Sequence, residues 1–325
     1  MDDDLLDLMI CRIPGLKGEE KIRLAEKYGN VDDFSSLGKA DMENILKRPL
    51  KSPPWTMADI RIEAEKDAKH AESLGMHRVS WREKAYPPLL REIFDPPLLL
   101  FYRGTLPDAE SPMVAVVGTR KPTPLAAERA FALGRELGEA GIAVVSGLAL
   151  GIDAMAHRGN IDARAPTVAV LGSGVDMVFP SSNRDLARRI LKTGGAILSE
   201  YPPGAGPDKW HFPARNRIIS ALARGVVIVE APQKSGALIT AQFALDQDRD
   251  LWVDSAGVKS PNGAGTARLV EEGARVISSA EDILAEWNIA ISAKKVPGRE
   301  KAGNATHSNS AGLASSMAEY LDINL

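Results

Sequence analysis

The chain has 325 residues, enough for one large α/β core with a smaller domain beside it. Forty Lys and Arg against 43 Asp and Glu leave a formal net charge of −3, which excludes a surface coated in positive charge for indiscriminate nucleic-acid binding. The single cysteine, Cys11, excludes an intrachain disulfide and a thiolate metal site within one chain.

Residues 1–75 predict short helices. Leu5, Leu6, Leu8, Met9 and Ile13 form one apolar face, Pro14-Gly-Leu-Lys-Gly18 a turn, and Ile22, Leu24, Ala25 and Tyr28 a second face that Gly29-Asn30 ends. A helix, glycine turn and helix can grip a nucleic-acid backbone through turn amides, but it is also the commonest way to build a small helical domain. The stretch 57–74, dense in Ala, Glu and Lys, reads as a longer solvated helix. Beyond it, His77-Arg-Val-Ser-Trp81 and Leu98-Leu-Leu-Phe-Tyr102 are strand-like and proline-separated, and are expected to add edge strands to the main sheet. The stretch 106–112 is a connector.

From Met113 the pattern becomes regular. Strands are expected near 113–117, 142–146, 167–171, 196–200, 225–230, 250–254 and 275–277, each followed by a helical pattern, which predicts an α/β, doubly wound, mostly parallel sheet. Residues 76–286 are assigned to that sheet domain. Past it, the stretch 294–316 is rich in Lys, Ala, Ser, Asn and Gly, so 287–325 is expected to be a flexible tail with no room for a folded domain. No stretch approaches the roughly 18 apolar residues of a membrane span, and Met1-Asp-Asp-Asp is unlike a secretory signal; a cytoplasmic protein with no membrane partner is expected.

Ligands of such sheets collect where the strands end, beside the N-termini of the following helices. Gly118-Thr119-Arg120 and the run Gly147 to Gly151 should therefore form the rim of one phosphate-friendly site. A dinucleotide fingerprint is missing there, because the first strand is followed by Gly118-Thr-Arg-Lys-Pro-Thr123 and the second ends in Ser146-Gly147; a P-loop is also absent. Arg120 instead suits a forked contact to a phosphate, or a carboxylate across the sheet edge. Asp153 and His157 could share a helix face, but two residues do not make a metal site. No metal or cofactor is expected.

A second concentration is Lys209-Trp-His-Phe-Pro-Ala-Arg-Asn-Arg217, where a loop turns into a helix. Lys209, Arg215 and Arg217 can track phosphates and Phe212 can offer a stacking face, with Asn216 among them, as single-stranded nucleic acid requires. Trp210 is equally open to stacking or to burial in the core. A third piece follows a strand ending in Glu230: Ser235-Gly236 opens a helix, and its hydroxyl could hold a phosphate or merely cap that helix.

Together these stretches resemble the DNA-processing protein A family, also called Smf. The matching text is Val116-Val-Gly-Thr-Arg120, Val144-Val-Ser-Gly-Leu-Ala-Leu-Gly-Ile-Asp153 with His157, Ala169-Val-Leu-Gly-Ser-Gly174, Ser199-Glu-Tyr-Pro202, Phe212-Pro-Ala-Arg-Asn-Arg-Ile-Ile219 and Ser235-Gly-Ala-Leu-Ile-Thr-Ala241. The resemblance implies an extended Rossmann fold with a small helical N-terminal domain. It also implies a homodimer that binds single-stranded DNA without cleaving it and helps load the RecA recombinase in recombination and natural transformation. By the motif match, Arg120 would hold a phosphate, Lys209 and Phe212 would contact the strand, and Arg215 and Arg217 would add to the positive pocket or brace it from inside. Two departures stand out: Val253-Asp-Ser-Ala-Gly257 places Asp254 near the strand ends, and Ala267 follows Gly265-Thr266 where the family usually has Asn. The winged helix that many members carry at the C-terminus is not expected here, because the stretch after the sheet domain is short.

Two other classes remain open on sequence. A Rossmann-like enzyme could hydrolyse nucleoside monophosphates with Glu200 or Glu230 beside a phosphate loop at Gly265-Thr266, although the basic aromatic stretch 209–217 would then be superfluous. A chiefly structural protein could assemble through its sheet edge.

Overall fold

The computed structural model describes residues 2–108 and 111–289. Five helices come first: α1 (Asp2–Arg12), α2 (Gly18–Lys27), α3 (Val31–Ser35), α4 (Lys39–Leu46) and α5 (Met57–Ser73). The apolar positions read from the sequence are the buried ones, among them Leu6, Leu8, Met9 and Ile13 on α1 and Ile22, Leu24 and Ala25 on α2. Helix α5 is not solvated all round, because Met57, Ile60, Ala64 and Ala71 form an i, i+3/i+4 stripe that is buried.

The chain then alternates through β1 (His77–Ser80), α6 (Pro88–Arg91), β2 (Leu99–Gly104), β3 (Met113–Val117), α7 (Pro124–Glu139), β4 (Ala143–Ser146), α8 (Ile152–Asp162) and β5 (Thr167–Val170). It continues through α9 (Arg184–Lys192), β6 (Ala196–Ser199), α10 (His211–Leu222), β7 (Gly225–Ile228), α11 (Gly236–Asp246) and β8 (Asp250–Asp254). Last come α12 (Ser255–Val258), α13 (Ala264–Glu271), β9 (Arg275–Ile277) and α14 (Ala280–Glu286). Strands β4 to β7 are buried along their whole length, which is why they read as unbroken β-branched runs rather than alternating ones.

The strands form one nine-stranded sheet in the order β1-β2-β6-β5-β4-β3-β7-β8-β9. Pairs from β6 through β9 are parallel, while β2 joins β6 and β1 joins β2 antiparallel, the edge addition expected for residues 77–102. From β3 the chain winds outward through β4, β5 and β6, then returns to the other side of β3 for β7, β8 and β9. The sheet is therefore doubly wound, with its switch point between β3 and β7, where Val117 lies opposite Ile228. The N-terminal helices share an apolar cluster with the sheet: Leu6, Met9, Phe34 and Met42 belong with Leu99, Phe101, Leu171 and Ile197.

The expected tail boundary at 287 falls inside the fold. Trp287 is buried, its ring lies edge-on to Trp252 at 5.5 Å, and its indole N–H donates to Asp250 Oδ2 at 2.8 Å. The rest of the expected tail, from residue 290, lies outside the described residues. Among the described residues no helix is long and apolar enough to cross a membrane.

Candidate nucleic-acid interface

The turn after β3 is tied to the turn after β7 at the switch point and to the turn after β4 on its other side. Thr119 N–H donates to the Glu230 carbonyl at 2.8 Å, and Ile152 N–H donates to the Thr119 carbonyl at 3.2 Å. Asp153 accepts from the amides of Gly147 (3.0 Å) and Ala149 (3.4 Å). Three amides of the expected rim, those of Thr119, Gly147 and Ala149, are thus engaged within the protein. What the rim presents outward is the exposed Arg120 side chain.

Arg120 stands over the Phe212 ring, its guanidinium carbon 5.7 Å from the ring centroid. Beneath them is a recess of about 140 Å³ lined by Arg120, Gly147, Leu150, Phe179, Phe212 and Arg215. Phe179 faces Phe212 with centroids 5.7 Å apart and planes inclined by 43°. Phe179 and Leu150 are each 45% exposed, so the recess opens to solvent between apolar edges under a cation.

Helix α10 decides which of its cations reach this recess. Phe212 and Arg215, three apart, share a face, while Arg217 stands about 200° round the helix from Arg215. Arg215 is buried; its Nη1 donates to the Gly147 carbonyl at 2.8 Å and also to the Val170 carbonyl. Burial brings its pKa down to about 10, partly offset by Asp153, and the nearby Arg120 lowers it further. It is still cationic at neutral pH, so it braces the recess from inside while lending it positive charge. A Cβ on Gly147 would lie 2.6 Å from this guanidinium, which is the physical requirement for glycine there.

Arg217 lies away from the recess. Its Nη1 and Nη2 fork onto the two oxygens of Glu200 at 2.9 and 2.7 Å, and its Nε donates to Asp95 Oδ2 at 3.0 Å. Burial lowers its pKa, but Glu200 and Asp95 outweigh that and raise it. The reading of Arg217 as a strand contact is therefore corrected: both of its charge-bearing edges are held by carboxylates.

Lys209 is exposed, with Nζ 5.0 Å from the centroid of Trp210, which is itself 71% exposed and so not a core residue. Next to it, His211 stacks on Tyr201 at 3.8 Å and donates from Nδ1 to the Gly172 carbonyl at 3.2 Å. Ser235 caps α11, accepting from Ala237 N–H at 3.2 Å, and Asn216 reaches the Gly236 carbonyl at 3.3 Å. Ser235, Gly236 and Asn216 thus join α10 to α11 and do not line the recess. Phe179 was not singled out from sequence, yet it stands before a proline in the loop after β5, at a strand's C-terminal end; that position was the available signal.

The acidic groups near the strand ends are all held. Glu230 is fully buried and accepts from Thr123 N–H (2.9 Å), Thr123 Oγ1 (2.8 Å) and Ser260 Oγ. Asp254, a departure from the family pattern, is also buried and pairs with Arg129 at 3.1 Å, so its charge is compensated. The Thr266 hydroxyl donates to backbone carbonyls at Gly257 and Gly263 and forms no open phosphate loop. Asp153 and His157 are likewise interior; His157 Nδ1 lies 2.7 Å from Thr167 Oγ1. Among the described residues no three His, Cys, Asp or Glu side chains gather to hold a metal ion.

A doubly wound, mostly parallel α/β sheet with a small cationic, aromatic recess beside its switch point places the chain among proteins of Rossmann-type architecture. Residues 77–288 match the family model described as DNA recombination-mediator protein A, and the chain belongs to that family. It is 35% identical to DNA processing protein DprA of Bacillus subtilis over 295 residues, covering 88% of this chain and 96% of that one. Against DNA processing protein DprA of Streptococcus pneumoniae it is 40% identical over 284 residues, 87% and 86% of the two chains. The X-ray structure of the Streptococcus pneumoniae protein superposes with a TM-score of 0.70 at 32% identity, covering 88% of this chain and 99% of that one. A structure of DNA processing protein A from Helicobacter pylori, described for its single-stranded DNA binding mode, superposes with a TM-score of 0.58 at 30% identity, covering 66% of this chain and 95% of that one.

Proposed function

We propose that this protein binds single-stranded DNA at the Arg120–Phe212 recess and acts in DNA processing as a binding protein rather than as a nuclease or nucleotidase. The observation that carries the reading is the juxtaposition of a solvent-facing guanidinium over Phe212, with Phe179 opposite, in an otherwise acidic chain. A cation to hold a phosphate and an open ring face to hold a base are the two requirements for a single strand, and a base still paired and stacked in a duplex has no free face to lay on that ring. Single-stranded DNA is also the ligand whose binding mode is described for the Helicobacter pylori relative. Arg120 takes a phosphate, Phe212 stacks a base with Phe179 packed beside it as the apolar edge, Lys209 steers the neighbouring backbone, and Arg215 holds the floor. The reading extends to a homodimer that hands the strand to the RecA recombinase, the setting in which such binding would serve recombination and transformation.

The test is fluorescence anisotropy of labelled single-stranded and duplex oligonucleotides with wild type and Phe212→Ala. Wild type should prefer the single strand. The variant should lose roughly 1–3 kcal/mol, the worth of one stacked base. Equal binding of duplex and single strand, unchanged in the variant, would refute the assignment.

A further inference from the structure

On the other side of the switch point lies a second and larger recess, of about 650 Å³, lined in part by Thr123, Leu125, Arg129, Lys259, Ser260 and Pro261. Its volume falls in the roughly 300–1,000 Å³ range of small-molecule sites. We propose that it is a second nucleotide subsite, occupied by a base of the same DNA strand whose neighbouring phosphates are held by Lys121 and Lys259. The inference rests on the reading of the first recess as a single-stranded DNA site.

Continuity is the first support. Thr123 follows Arg120 by three residues, so no more than about 11 Å of chain separates the two recesses. Both open at the C-terminal ends of the strands, and a strand leaving Arg120 along the turn 120–123 runs directly onto α7. Charge is the second. Lys121 on that turn and Lys259 on the far rim are both exposed, and neither ammonium has an ion-pair or hydrogen-bond partner among the described residues. Arg129, by contrast, is occupied by Asp254 at 3.1 Å and by the Ser278 carbonyl at 2.7 Å.

The interior of the recess suits a base better than a phosphate. Leu125, 58% exposed, gives it an apolar wall facing solvent with Pro261 on its lining. Behind Thr123 and Ser260 sits the buried Glu230 carboxylate, which both hydroxyls hold and which repels a second anion. The phosphates therefore belong on the lysine rim and the ring inside. A strand so placed contacts protein on both sides of the switch point and spans more than one nucleotide.

Oligothymidylates of increasing length, titrated at several salt concentrations, test this with Lys259→Glu, Lys259→Arg and Phe212→Ala. Lys259→Glu should bind the shortest ligands like wild type, lose about tenfold on the longer ones, and show a salt slope smaller by about 0.7, the contribution of one phosphate. Lys259→Arg should keep wild-type binding. If Lys259→Glu binds every length like wild type while Phe212→Ala is impaired, the second subsite is refuted and the first stands. If Phe212→Ala is also unimpaired, both readings fall.

Discussion

His157 shows how far a single buried residue can govern the response to pH. Burial lowers its pKa to about 3 from 6.5, and Arg215 adds to that shift. Its Nε2 has no hydrogen-bond partner among the described residues, as befits a neutral ring that donates from Nδ1 to a threonine hydroxyl. Between those two pH values the unfolded chain binds the proton and the folded chain does not, so stability is lost as pH falls through that window. Lowering the pH from 7.5 to 5 should therefore cost about 2 kcal/mol from this group alone. Urea unfolding at the two pH values, with His157→Gln beside wild type, checks it: the variant should show a loss smaller by that amount. The same loss in both would assign the acid sensitivity elsewhere. The sequence placed Asp153 and His157 on one helix face, but only the packing reveals that the face is interior.

At the scale of elements, the helical period of α10 separates what the sequence grouped. The run 209–217 was legible as a basic aromatic stretch at a loop-to-helix junction, and the start of α10 at His211 agrees with that. Its cations do not act together, however, because side chains two apart on a helix point to different neighbours. Applying that period to residues 212, 215 and 217 would already have split Arg217 from the others; what it could not supply was the partners. The partners are Glu200 and Asp95, and Asp95 also accepts from the Gly18 amide at 2.8 Å and so ties the first turn of α2 to α10. One of the turn amides that could have gripped a nucleic-acid backbone is thereby engaged. Asp95→Ala should lower stability by about 1–2 kcal/mol, since the carboxylate is partly exposed and Arg217 keeps Glu200. Single-strand affinity should stay at the wild-type level. A loss matching that of Phe212→Ala would instead put the Arg217 face in the binding path.

Across the whole molecule, strand positions were legible because a sheet buried on both faces writes itself as apolar runs ending in glycine, as at Val117-Gly118 and Ser146-Gly147. The recess was half legible: Arg120 and Phe212 stand at strand and helix ends, whereas Phe179 reaches it through a loop whose course local sequence does not encode. The same distribution of charge sets the strength of binding. With a formal net charge of −3 the chain has no diffuse attraction for a polyanion, so its affinity must come from the few cations at the strand ends. Its salt dependence should then be shallow for a DNA-binding protein, with each phosphate held contributing about 0.7 to the slope for a single strand. Arg120→Ala should reduce both affinity and slope, the latter by that amount, whereas Phe212→Ala should reduce affinity and leave the slope unchanged, because a stacked ring displaces no counterion. Titrations from low to physiological salt distinguish the two. A slope that falls equally in both variants would mean that losing the ring releases the phosphate as well, making Arg120 and Phe212 one coupled contact rather than two.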